Sequence, residues 1–172
     1  MRGLFHKLFS LLVCCLMAGC ATSRPASQQS KPLTAQLFPP EARVTQRGVL
    51  TVRGRQFTLN GYVARSETRG LRLILTENFG GVLADVLVKP NGKVFVMQSK
   101  PPFRPAWVER YVAADLKCIF GDATETNCPV QMLSPTHFVV ERRWYKLDLR
   151  TLETKPGAQP AEMFDETRGG KP

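Results

Sequence analysis

The sequence predicts a mainly β domain of the α+β class, in which a curved antiparallel sheet, or half-open β-barrel, is covered by one helix. Three observations support this prediction. Apolar and polar residues alternate through residues 48–99, between turn signals. A segment at 106–120 has a proline just before it and a glycine just after it, as helices often do. Alternation then resumes over residues 137–149.

The first region contains five short alternating segments. They are residues 49–52, 57–63, 71–76, 82–88 and 93–98. Gly61 inside the second segment indicates a bulge or a sharp bend. Asn78-Phe79-Gly80-Gly81 turns the chain between the third and fourth segments, and Pro90-Asn91-Gly92 between the fourth and fifth. Because Asn-Gly between alternating strands is a strong hairpin signal, we predict a meander of five antiparallel strands.

Several of these strands are apolar on both faces. In a sheet with one solvent-exposed face, apolar and polar residues alternate along each strand. In the fifth strand, for example, Phe95 and Met97 alternate with Val94 and Val96. The second face therefore needs cover from a helix or a ligand. We predict an apolar cavity under the helix, with a candidate lining of Leu71, Leu73, Leu75, Val86, Val88, Phe95, Met97, Trp107 and Tyr111. The same pattern also allows a helix packed tightly on the sheet without a cavity.

The helix predicted at 106–120 has one acidic residue on its apolar side. At 100° per residue, Asp115 falls within the arc of apolar side chains. A buried carboxylate needs a partner, and we expect Arg142 or Arg143 to supply it. An acid without a matching base or nucleophile does not indicate catalysis.

The last third of the chain allows two interpretations. Residues 137–149 form either two strands joined near 141–143 or one long bent strand. We place the domain at 44–152, which is long enough to bury a core. Residues 153–172 are rich in polar residues, proline and glycine, so we predict a mostly mobile tail in which Met163 and Phe164 are the residues able to dock.

The N-terminal residues 1–19 have the features of a secretory signal peptide. Arg2 and Lys7 flank a short apolar run that ends in small residues before Cys20. The run is well short of the roughly 20 residues needed to span a bilayer. Residues 20–43 then hold almost nothing that could enter a core, so we predict a flexible tether, which Leu37 and Phe38 could pin to the domain.

The end of this segment, Met17-Ala18-Gly19-Cys20, resembles the lipobox of bacterial lipoproteins. The resemblance implies that Cys20 is acylated on its sulfur, with palmitate or a similar chain, and becomes the first residue of the mature protein. Ala21 follows in place of an aspartate. By resemblance to Gram-negative sorting rules, this implies an outer-membrane anchor that faces the periplasm.

After processing, Cys118 and Cys128 are the remaining cysteines besides Cys20. The oxidising cell envelope favours a disulfide between them. Because His137 is the one histidine left, we expect no metal site, and we expect no cofactor.

The formal net charge is +10, and only Arg2 and Lys7 of the cations lie in the predicted signal peptide. An exported, lipid-anchored protein rarely meets nucleic acid, so we expect no nucleic-acid partner. Anionic lipid headgroups or lipopolysaccharide phosphates are nearer partners. An evenly spread basic surface without a partner is the alternative.

The order of anchor, tether, meander, covering helix and returning strands resembles the LolA/LolB-like lipoprotein-carrier superfamily and related uncharacterised envelope lipoproteins. The local resemblance to the related lipoproteins is in residues 100–116, which join a strand to the covering helix. It implies a strongly curved open sheet closed by helices over an apolar cavity that holds acyl chains. Phe103, on the proline-rich loop before the helix, is a candidate contact for a membrane or a partner, or a plug beneath the helix.

Two functions follow, neither of them enzymatic. The first is an envelope lipoprotein that binds or carries lipid or acylated cargo in the cavity. The second is a structural or interaction lipoprotein with a solid core that docks on envelope proteins. We expect no enzyme, because the sequence lacks Gly-x-Ser-x-Gly, His-Glu-x-x-His and a phosphate-binding glycine loop.

Overall fold

The computed structural model describes residues 37–121 and 128–169. The predicted signal peptide, the predicted lipidation site Cys20 and most of the predicted tether lie outside the described residues. Eight strands form one antiparallel sheet, with the bounds β1 Ala42–Val52, β2 Arg55–Ser66, β3 Gly70–Glu77, β4 Val82–Val88, β5 Val94–Ser99, β6 Val130–Ser134, β7 His137–Arg142 and β8 Tyr145–Pro156. Their order across the sheet is β5-β4-β3-β2-β1-β8-β7-β6.

The five-stranded meander is confirmed, since β1 to β5 are consecutive neighbours. β1 begins earlier than predicted, at Ala42, because its first half already alternates buried Val44 with exposed Arg43. β8 pairs with the free side of β1, so the long first strand lies near the middle of the sheet. The fold class is therefore confirmed as mainly β, an open antiparallel sheet with one helical cover.

The last third of the chain forms a hairpin. Arg142 pairs with Tyr145 where β7 turns into β8, so two strands replace the single bent strand that the pattern also allowed. β6, at the edge, was not predicted, because only five residues form it and exposed and half-buried positions alternate along it. The predicted domain end at residue 152 falls inside β8, which continues to Pro156.

A continuous helical segment covers the inner face of the sheet. It consists of α1 (Pro105–Trp107), a π-helical turn (Val108–Val112) and α2 (Ala113–Phe120), which together we call the covering helix. It contacts β3, β4, β5 and β6. Its buried side chains join one core with the inward rows of the strands. Burial of apolar surface between sheet and helix is therefore the main stabilising contribution.

The domain begins within the predicted tether. Phe38 is 3 % exposed, and its ring centroid lies 4.8 Å from that of Phe120 and 6.0 Å from that of Phe138. Arg65, itself buried, donates hydrogen bonds to the carbonyls of Phe38 and Pro39. The last residues of the predicted tether thus belong to the core.

The predicted tail packs on the outer face of the sheet as far as the structure describes it. Two short 3-10 helices, Ala161–Phe164 and Glu166–Gly169, follow β8. The Phe164 side chain is 4 % exposed and packs with Leu87. Arg72 donates to the carbonyl of Met163 and Lys89 to that of Phe164, so the predicted docking residues are held by polar as well as apolar contacts.

The predicted disulfide is confirmed. Cys118 in the covering helix and Cys128 before β6 are bonded, with their Cα atoms 5.6 Å apart. The bond closes a loop of sequence separation 10 and ties the end of the helix to the sheet edge.

Replacement of both cysteines by serine is expected to lower the free energy of unfolding by about 3 kcal/mol, since a loop of this length is constrained in the unfolded chain. Urea unfolding of the two proteins measures this difference. Equal stability of the oxidised wild type and the double serine variant would contradict it.

Candidate functional site

An apolar cavity of about 50 Å³ lies between the sheet and the covering helix. It is lined by side chains of β1, β2, β3, β8 and the helix, among them Leu73, Leu75, Leu116 and Ile119. Gly61 faces it, and the absence of a side chain at this position leaves part of the space open. No register shift occurs at Gly61, so the predicted bulge there is wrong. The cavity is much smaller than a site of roughly 150 Å³ that holds one benzene.

The predicted cavity lining is only partly brought together. Leu71, Leu73, Leu75, Val86 and Val88 are buried in the core under the helix, and Trp107 and Tyr111 pack against that core. Of these, Leu73, Leu75 and Trp107 line the cavity itself.

Phe95 and Met97 do not belong to this lining. Leu87 pairs with Phe95 and Val86 with Val96, so Phe95 lies on the outer face and packs against Leu87 and Phe164. Met97 lies at a register shift between β4 and β5 and joins neither apolar cluster. The prediction for Phe95 was wrong because alternation shows two apolar rows without showing which row faces the helix. The prediction for Met97 was wrong because the register shift at this position interrupts the alternation.

A larger open groove of about 520 Å³ lies at one end of the sheet, and we call it the mouth groove. It forms where the β1–β2 turn, the β7–β8 turn and the start of the covering helix meet. Its lining is Leu50, Val52, Arg53, Pro102, Phe103, Arg104, Trp107, Tyr111 and Trp144. Its volume is within the range of small-molecule sites.

Aromatic rings form one wall of the mouth groove. The ring centroid of Trp107 lies 5.4 Å from that of Phe103, 6.1 Å from Tyr111 and 5.1 Å from Tyr145. Trp144 is 55 % exposed, and the Arg143 guanidinium lies 4.8 Å from its ring centroid. Rings of this kind have an apolar body and a polar edge, which suits a ligand with both characters.

Three residues separate the mouth groove from the cavity. Leu50, Phe103 and Trp107 line both spaces. Phe103 is 3 % exposed, so the expectation that it contacts a membrane or partner directly is wrong. Its alternative role, a plug beneath the helix, agrees with its position.

The charge at the mouth groove is positive. Arg53 and Arg104 are exposed, and no carboxylate is among the lining residues that the structure describes. Within residues 37–121 and 128–169, neither guanidinium has an ion pair or a hydrogen bond. The groove can therefore accept an anionic group without displacing an internal partner.

A second depression, of about 420 Å³, lies at the opposite end of the sheet. Its three cations are already engaged: Arg65 with the Phe38 carbonyl, Lys89 with the Phe164 carbonyl and Glu166, and Lys117 in a further interaction within the protein. The mouth groove, whose arginines are available, is the better candidate site.

A buried polar network supports the aromatic wall. Asp115, 4 % exposed, accepts hydrogen bonds from Arg142 Nε at 2.9 Å and Nη2 at 2.6 Å. This pairing confirms the first of the two partners expected for Asp115. The Tyr145 hydroxyl donates to the other carboxylate oxygen. The network fixes the helix against the β7–β8 hairpin and so positions Trp107 and Tyr111.

Burial raises the pKa of Tyr145 well above its ordinary value of 10.0, and the negative charge of Asp115 adds to the shift. The neutral phenol therefore stabilises the fold below about pH 10, and this stabilisation is lost as the pH rises further.

Tyr145→Phe is expected to lower the free energy of unfolding at pH 7 by about 1.5–3 kcal/mol, because a hydrogen bond to a buried charge is lost. The difference from wild type should narrow above about pH 10, where ionisation of the unfolded phenol favours unfolding of the wild type alone. Denaturant unfolding at several pH values measures both effects. A difference that grows with alkaline pH would contradict the assignment.

The described residues hold no group of three or more His, Cys, Asp or Glu side chains that could bind a metal ion. His137 Nε2 lies 2.9 Å from Asp148 Oδ1 on the outer face, away from the mouth groove. Within the same part of the chain, no helix has the length and apolar character needed to cross a membrane.

The fold and the mouth groove together define the class of domain, an open antiparallel sheet under a helix with an aromatic, basic groove at one end. No protein-family model matches this chain, and no curated protein matches its sequence.

The sequence-based reasoning missed Arg53, Arg104 and Trp144 as site residues. One signal was present: Arg143 and Trp144 occupy a hairpin turn where glycine, asparagine or aspartate is usual. A bulky aromatic in such a turn has no core to fill, which points to a contact outside the fold.

Proposed function

We propose that this chain is an outer-membrane-anchored lipoprotein that faces the periplasm and binds lipid acyl chains, through a domain of LolA/LolB-like fold. The observation that carries the proposal is the mouth groove, whose aromatic wall leads to an apolar cavity between sheet and helix. Burial of an acyl chain contributes about 0.8 kcal/mol per methylene, so apolar contact alone supplies affinity.

In this proposal the end of the acyl chain lies in the mouth groove, against Trp107 and Val52. Entry of the acyl chain into the cavity requires the side chains of Phe103 and Trp107 to rotate, because they separate the mouth groove from the cavity. A cavity of about 50 Å³ holds only a small part of an acyl chain without this movement.

The small cavity also favours a second candidate, the interaction lipoprotein with a solid core. In that case the mouth groove and its arginines bind an envelope protein, and no lipid is carried.

The two tryptophans of the chain, Trp107 and Trp144, both line the mouth groove, so intrinsic fluorescence reports on this site. The full chain is placed in nanodiscs of unlabelled lipid and titrated with a monoacyl lipid brominated on its chain. We expect saturable quenching by the brominated lipid and none by its unbrominated analogue.

Two variants on one strand give the matched comparison. Val52 lines the mouth groove, whereas Val49 is 37 % exposed on the outer face. Val52→Arg should abolish saturable quenching, and Val49→Arg should leave it intact. Absence of quenching in a wild type that still unfolds cooperatively would favour the solid-core candidate.

The anchor is tested separately through Cys20. Cys20→Ser is expected to move the protein from the membrane to the soluble fraction, because acylation at this sulfur is lost. Fractionation of cells that express each form measures this. Metabolic labelling with an alkyne-tagged fatty acid should label the wild type alone, and membrane retention of Cys20→Ser would contradict the lipid anchor.

A further inference from the structure

We propose that the lipid bound in the mouth groove carries a phosphate headgroup, held by Arg53 and Arg104 at the outer edge of the groove. The inference rests on the proposed function, and it adds the chemical class of the ligand. Both arginines line the same groove as Trp107, Tyr111 and Trp144. A ligand there meets apolar rings toward the core and cationic groups toward solvent.

Arg53 and Arg104 are exposed, whereas the buried and half-buried arginines of the described residues are already engaged within the fold. Arg72 pairs with Asp85, and Arg142 pairs with Asp115. Arg53 and Arg104 have no such partner within the described residues. A guanidinium binds a phosphate as it binds a carboxylate, by donating two parallel hydrogen bonds to two of its oxygens.

The backbone at Arg53 gives a second reason. Its φ is +48°, and Gly54 after it has φ +76°, so the β1–β2 turn needs two residues in the left-handed region. Asparagine or glycine suits the first of these positions better than arginine does. An arginine at this costly position is explained by a charge that is needed there.

Arg104 approaches the groove from another direction. It lies in extended conformation between Phe103, which closes the cavity, and Pro105, which begins the covering helix. The two guanidinium groups therefore come from the β1–β2 turn and from the loop before the helix. The core fixes the position of both segments, because Leu50 before the turn and Phe103 in the loop are buried.

The test uses the same quenching titration with two brominated ligands that share one acyl chain, lysophosphatidic acid and monoacylglycerol. We expect lysophosphatidic acid to bind about 10- to 100-fold more tightly, because charge-assisted hydrogen bonds form only with the phosphate. In the double variant Arg53→Gln/Arg104→Gln this preference should disappear, so that lysophosphatidic acid binds no more tightly than monoacylglycerol.

The matched control is Arg47→Gln/Arg150→Gln, which removes the same charge from a cross-strand pair of exposed arginines on the outer face. This control should retain the preference for lysophosphatidic acid.

Equal loss of this preference in both double variants would show a general effect of net charge and overturn the proposal. Equal binding of the two ligands to wild type would overturn it too, while leaving acyl binding intact, whereas no quenching by either ligand would reject acyl binding itself. Equimolar inorganic phosphate should not displace the lipid; displacement would identify a free-phosphate site and overturn the proposal.

Discussion

Arg142→Leu is expected to lower the free energy of unfolding by about 3–5 kcal/mol at neutral pH, because it removes the guanidinium that pairs with buried Asp115. The carboxylate is 4 % exposed and cannot regain solvent without opening the contact between helix and hairpin. Protonation of the orphaned carboxyl removes the buried charge, so the difference from wild type should narrow as the pH falls. Denaturant unfolding between neutral and acid pH measures both effects.

Two further variants make this result specific. Arg143→Leu changes the neighbouring arginine, which is exposed and stacks on Trp144, and should change stability by less than about 1 kcal/mol. The double variant Arg142→Leu/Asp115→Leu should recover most of the lost stability, because replacement of both members of a buried pair by apolar residues is often neutral. If the double variant is as unstable as Arg142→Leu, the ion pair is not the cause.

Leu73→Asp and Phe95→Asp are expected to differ widely, although both residues were assigned to the same cavity lining from the sequence. Leu73 is 7 % exposed and packs in the core beneath the covering helix. A carboxylate at this position is buried away from solvent and without a cation. We therefore expect Leu73→Asp to lower the free energy of unfolding by more than about 4 kcal/mol and to leave the domain unfolded.

Phe95→Asp should lower the free energy of unfolding by only about 1–2 kcal/mol, because Phe95 is half-buried on the outer face. Lys93 Nζ lies 4.6 Å from its ring centroid and can pair with the new carboxylate. The variant should release the C-terminal 3-10 helices from the sheet without unfolding it. Circular dichroism, thermal unfolding and limited proteolysis after residue 156 distinguish these outcomes. Similar losses for both variants would contradict the assignment of the two residues to opposite faces.

Local patterns were sufficient for much of the fold. The turn at residues 90–92 and the alternation on either side of it predicted β4 and β5 correctly, because hairpin pairing is decided by nearby residues. The need of Asp115 for a cation was also predictable, because a buried carboxylate requires a partner wherever it lies. The disulfide followed in the same way, from two cysteines left in an oxidising compartment.

Other features depend on which distant residues meet. Alternation in β5 shows two apolar rows, but only the pairing of Leu87 with Phe95 decides that Phe95 faces away from the helix. The mouth groove likewise combines Arg53, Arg104 and Trp144 from three separate connections. By itself the sequence determined the five strands of the meander, the helix and the local chemistry, because these depend on neighbours along the chain. The faces, the small cavity and the mouth groove were decided only by the tertiary structure, because they depend on contacts between residues far apart in sequence.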